Sequence, residues 1–171
     1  MVDPIVLQSV SYVAAAIGVL VAAVYYMMTL RITQRNMKQT LETRQAQLFM
    51  DLYRMASERE YFTAWNTFQI NKGKSVEELK KVYSSDPEFR VNVTKWVWYF
   101  EGLGVLVREG LLNIRLVALL MTGLIKQWWE WWGPVAKELS VEWNWPRYVI
   151  ETEYLYDELM KYIEEHPEIK T

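Results

Sequence analysis

Residues 4–30 form an unbroken run of 27 uncharged positions, and that run sets the organisation of the N-terminal part of the chain. At about 1.5 Å per helical residue it spans roughly 40 Å, enough to cross a hydrocarbon core of about 30 Å with some tilt. Within residues 10–30 only Ser11, Tyr12, Gly18, Tyr25, Tyr26 and Thr29 interrupt the apolar side chains. The tyrosines fall near the two ends, where interfacial aromatics belong. A cleaved signal peptide would need a basic stretch before a shorter apolar core, and the opening Met-Val-Asp-Pro supplies no base. A retained transmembrane helix is therefore expected. The 54 residues between Gly18 and Gly73 contain neither Gly nor Pro, so this helix is expected to continue past Arg31 to about Ile70. Met37, Leu41, Leu48, Leu52, Met55 and Phe62 approximate a heptad seam along it. Gln34, Arg44 and Asp51 occupy seam positions and weaken it, which predicts a stalk rather than an autonomous coiled coil.

Beyond the stalk, stop and start signals divide the chain into further helices. Asn71-Lys72-Gly73-Lys74 ends one, and Ser75 with Glu78 reads as a capping box for a short helix to about Val82. Asp86-Pro87 opens another, which Gly110 closes. Asn113 caps a helix expected to stop at Gly133-Pro134. A short helix should follow to about Val141, and Asn144-Trp145-Pro146 should open the last. Residues 111–132 are not a second span, because their longest uncharged run, between Arg115 and Lys126, is only ten residues. No alternating strand pattern appears. The expected fold is all-α: an N-terminal transmembrane helix (1–30), a juxtamembrane stalk (31–48) and a cytoplasmic bundle of about five helices (49–171).

Composition narrows the chemistry. Hydrophobic residues make up 51% of the chain, which excludes a disordered protein. There is no Cys, hence no disulfide, thiol catalysis or cysteine-ligated metal. The 19 basic and 21 acidic side chains nearly cancel, leaving no global footprint for nucleic acid. Locally the charges are asymmetric: only Asp3 precedes the span, whereas Arg31, Arg35, Lys38 and Arg44 follow it against one Glu42. The positive-inside rule places the N-terminus outside the cell membrane and the bundle in the cytoplasm, with the lipid bilayer as the first partner. On that side the glycosylation acceptor Asn92-Val93-Thr94 would never be used.

Few residues carry candidate chemistry. Gly73-Lys74-Ser75 looks like the end of a phosphate loop, but Phe68 stands where that loop needs its first Gly, so a turn plus an N-cap is expected. His166 is the only histidine and is expected at the surface; one His cannot supply a usual zinc site, and no cofactor or metal is expected. Glu101 lies in the nearly unbroken apolar run 96–106, where burial would demand a partner or a raised pKa. On a helical wheel Arg90, Thr94, Glu101 and Arg108 share one polar stripe, so Glu101 and Arg108 form a possible buried polar site with a structural role favoured. Trp128, Trp129, Trp131 and Trp132 are expected mainly as core, with a pocket or membrane surface as the alternatives. Ala14, Gly18 and Ala22 share one face of the span, at a spacing that lets another helix approach closely. Gly102 and Gly104 are expected to allow close helix contact.

The run Trp98-Tyr99-Phe100-Glu101-Gly102-Leu103-Gly104, followed by Val107-Arg108-Glu109-Gly110-Leu111-Leu112, resembles an uncharacterised prokaryotic family of small membrane-anchored helical proteins. The likeness continues through Lys126-Gln127-Trp128-Trp129 and Glu153-Tyr154-Leu155-Tyr156 but not through residues 72–87. The resemblance implies an N-terminal span before a cytoplasmic helical domain and brings no catalytic residues. The resulting expectation is a non-catalytic interaction or assembly module, a homo-oligomer or an accessory subunit of a membrane complex. The alternative is a small-ligand sensor or enzyme with a pocket near Glu101 and the tryptophans.

Overall fold

The computed structural model describes residues 4–169, so Asp3, one of the charges that set the expected orientation, lies outside it. Six α-helices and a closing 3₁₀ turn make up the described chain: α1 Pro4–Ala56, α2 Arg59–Asn71, α3 Val76–Ser85, α4 Pro87–Arg108, α5 Ile114–Glu142 and α6 Ile150–Glu165. No strand occurs among the described residues. The fold is all-α, as the sequence pattern predicts. The chain divides into two compact units between Arg44 and Gln45.

In the first unit every residue from 8 to 44 is exposed. This one helix is long and apolar enough to cross a membrane, and its most apolar stretch contains no buried residue. Thr29, Thr40 and Thr43 return their hydroxyls to the carbonyl four residues earlier, so each satisfies its polar group within the helix.

The second unit is a bundle in which α4 packs against α2, α3 and α6, while α5 packs against α3 and α6. Its helix boundaries follow local chemistry at four places. Ser75 and Glu78 close a reciprocal capping box on α3. The Asp86 carboxylate accepts from the backbone N–H groups of Glu88 and Phe89, with Pro87 at the first position of α4. Asn113 accepts from the Arg115 N–H at the start of α5. Gly110, at φ +67°, ends α4 in the left-handed conformation, and the Leu111 N–H reaches back to the Leu106 carbonyl.

Three expected boundaries are corrected. The first helix does not run to Ile70 but breaks at Ser57-Glu58. No breaker residue sits there; the turn carries Tyr61 onto Trp96 and Tyr99, with ring centroids 5.2 and 5.5 Å apart, and Tyr99 donates its hydroxyl to the Leu52 carbonyl at 2.9 Å. Aromatic burial overrides helix continuity here. Conversely, Gly133-Pro134 does not stop α5. Pro134 sits on the exposed side and its missing N–H costs about 3 kcal/mol in a helix interior. Burial of Val135 and Leu139 beyond it returns about 1.5–3 kcal/mol each. Gly133 has no Cβ to clash with the proline ring, and a Cβ there would lie 3.0 Å from the Trp129 ring. Lastly, Asn144-Trp145-Pro146 forms turns, with Asn144 at φ +50°, and α6 starts only at Ile150.

Candidate functional site

The candidate residues of α4 meet the first turn of α6. That turn begins without a side-chain cap, because its N-cap position is Val149. Glu101 supplies what Val149 cannot: one carboxylate oxygen, Oε1, accepts both the backbone N–H and the hydroxyl of Thr152, each at 2.7 Å. Thr152 is fully buried and Glu101 half-buried. Burial pushes the Glu101 carboxyl above its ordinary range, the Thr152 hydrogen bonds oppose that shift, and the neighbouring Glu151 charge adds to it.

Arg108 reaches the same turn separately. Its Nε donates to Glu151 Oε2 at 2.6 Å, and its guanidinium lies over the Tyr154 ring at 3.9 Å from the centroid. Glu101 and Arg108 therefore converge on α6 without pairing with each other. Between them, Gly104 is where the backbones touch: a Cβ on it would stand 2.6 Å from the Glu151 carbonyl carbon. Gly102 differs, since a Cβ there would meet nothing within 4 Å. Of the two glycines, only Gly104 serves a contact within the chain. Thr152 and Glu151 escaped the sequence reading, because the last helix was expected to open at Asn144 with its own cap, and only the start at Ile150 leaves the first N–H groups needing an external acceptor.

The four tryptophans of α5 are core. Trp128 and Trp132 are fully buried, and Trp129 and Trp131 nearly so. Trp128 meets Phe100 at 5.1 Å, Trp132 meets Tyr83 at 5.3 Å, and Trp131 meets Phe68 at 4.9 Å. Trp129 packs against Tyr156, with Lys137 over its face. Trp131 also walls a cavity of about 500 Å³ that is lined by Phe68, Leu79, Lys72 and Lys74 and does not include Glu101.

The other candidates have structural partners. Asn92 is buried and its amide donates to the Thr67 hydroxyl at 2.9 Å. Gly73, at φ +100°, and Ser75 make the turn and the cap. His166 is not freely exposed as expected: it closes α6, stacks on Tyr162 at 4.0 Å and places Nδ1 2.9 Å from the Tyr162 carbonyl oxygen. Among the described residues no group of three or more His, Asp or Glu is placed to hold a metal. Ala14, Gly18 and Ala22 lie exposed along α1, and a Cβ on Gly18 would also meet nothing within 4 Å.

The family described as a domain of unknown function (DUF4760) matches residues 12–159, and the chain belongs to it. That match runs through residues 72–87, where the quoted motifs left a gap. No curated protein and no solved structure matches the chain.

Proposed function

Starting from membership of the DUF4760 family, we propose that this chain is a single-pass cell-membrane protein whose helical bundle is a non-catalytic interaction and assembly module. Residues 1–30 anchor it, 31–48 form a stalk and 49–171 lie in the cytoplasm, with the N-terminus outside. The observation that carries the reading is in the first unit: an apolar stretch of helix with every residue from 8 to 30 exposed finds its cover in lipid and in neighbouring helices. The Arg31, Arg35, Lys38 and Arg44 flank supports the orientation. Glu101 and the α5 tryptophans, the groups with most chemical promise, are taken up in capping and packing, which supports a role in binding rather than catalysis.

The test uses the absence of native Cys. A Val141→Cys variant, at a position 79% exposed, is treated with a membrane-impermeant maleimide in intact and in opened cells, after alkaline extraction has shown membrane retention. Labelling only after opening supports the topology; labelling in intact cells or release by alkali sinks it. A second reading, a small-ligand sensor, draws on the cavity beside Trp131. Titrating intrinsic Trp fluorescence against metabolite pools tests it, and an unchanged spectrum counts against it.

A further inference from the structure

The side of α4 that points away from α2, α3 and α6 is apolar. Val91, Trp98 and Val105 recur there at intervals of seven and are 54%, 72% and 43% exposed. Eight of the nine tryptophans have an aromatic neighbour within the chain; Trp98 is the exception among the described residues. Beside it, one turn on, is Gly102, exposed and with open space over its Cα. A large ring next to an empty hollow on one face, with a heptad interval, is the pattern of a helix that packs against another helix.

Charge identifies the occupant. Lys95 and Glu109, the residue that caps the C-terminal end of α4, share one edge of this face by heptad spacing, each seven residues from Gly102, one before and one after. Glu109 has no ion-pair partner among the described residues, while Lys95 reaches Glu60 at 3.2 Å from the margin of the face. A second α4 laid antiparallel, with the two-fold axis at Gly102, sets each Lys95 opposite the Glu109 of the other copy and each Trp98 against the other's Gly102 and Val105. Within one chain Lys95 and Glu109 are about 21 Å apart along the helix and cannot meet. We propose that a second copy of this chain docks on the outer face of α4, two-fold symmetric and antiparallel about Gly102. This rests on the assembly reading above and names its partner and surface.

The experiment is run on the full chain in its own membrane. Gly102→Cys introduces the only thiol, on the two-fold axis and at a position where a side chain meets nothing within its own chain. Mild oxidation should give a disulfide-linked species of twice 20.4 kDa, at least ten-fold faster than Val141→Cys, which marks random encounter. A rate no faster than the control, or an adduct of another mass, overturns the proposal. Lys95→Glu and Glu109→Lys are tested alongside. Each alone sets like charges opposite each other twice per dimer and should weaken self-association about ten-fold. Mixed together, the two variants should pair with each other as tightly as the unaltered chain, because both contacts are then complementary. If the unaltered chain self-associates but these variants behave like it, the α4 assignment fails and the assembly reading stands. If the unaltered chain is extracted as one copy with a different protein, the α4 assignment likewise fails and the assembly reading stands; as a lone monomer, both fail.

Discussion

Gly102 and Gly104 lie two residues apart on one helix, and replacing each by Ala should change stability in opposite directions. Both substitutions gain about 0.5–1 kcal/mol, because Gly is the costlier residue in a helix interior. For Gly102→Ala that gain stands within one chain, where the new methyl meets nothing within 4 Å. For Gly104→Ala the methyl would lie 2.6 Å from the Glu151 carbonyl carbon, whereas carbon atoms rest at about 3.5–4 Å. The contact atom is backbone, so α6 itself has to retreat by about 1 Å. Overpacking of this kind costs about 1–3 kcal/mol. The same retreat stretches the 2.7 Å bonds from Thr152 to Glu101, a further loss of about 1 kcal/mol. Net of the helix gain, Gly104→Ala should be destabilised by about 1–3 kcal/mol, lowering Tm by about 4–12 °C. Thermal melts of the full chain in detergent, followed by far-ultraviolet circular dichroism and Trp emission, read this directly. Two protein concentrations separate folding from association. Gly104→Ala melting at or above Gly102→Ala would refute the claim that α4 and α6 are held backbone to backbone at Gly104.

Glu101→Gln keeps an Oε1 that accepts both Thr152 bonds and loses the buried charge, so it should be as stable as the unaltered chain or more so at pH 7; Glu101→Ala should lose about 1 kcal/mol. Because burial raises the folded pKa of Glu101, the native state binds its proton more readily than the unfolded state. Its contribution to stability therefore grows as pH falls from the raised folded value towards the ordinary carboxylate value, and declines as pH rises through that window. A stability-against-pH curve for Glu101→Gln running parallel to that of the unaltered chain would contradict this. Pro134→Ala should stabilise α5 by about 1–3 kcal/mol in chemical denaturation, and a loss would show that the proline is needed for packing. Asp86→Ala should cost about 1 kcal/mol through the two N–H groups it leaves without an acceptor, and an unchanged denaturation midpoint would deny that cap its role.

What could be read from the sequence follows the range of the interaction concerned. Ser75, Asp86, Asn113 and Gly110 act on neighbours within a turn or so, and their roles are visible in a short window of residues. The apolar N-terminal helix is equally local, a matter of length and charge. The break at Ser57-Glu58 and the continuity through Gly133-Pro134 were hidden because each is decided by distant burial, of Tyr61 on α4 in one case and of the α5 face in the other. Glu101 was visible as an anomaly, a carboxylate in an apolar run. Its partner Thr152 was not, because the bond joins residues 51 apart and depends on how α4 crosses α6. The helical wheel put Glu101 and Arg108 on one stripe correctly and could not show that they serve different atoms of the same turn.

The most direct test of the membrane assembly account is the protein-only molar mass of the tagged chain, extracted from native membranes in mild detergent. Light scattering gives the mass, and mass spectrometry identifies what travels with it. The account predicts a species at a whole multiple of 20.4 kDa, with two copies as the unit expected from the α4 face. A chain extracted only as a lone 20.4 kDa monomer would contradict it.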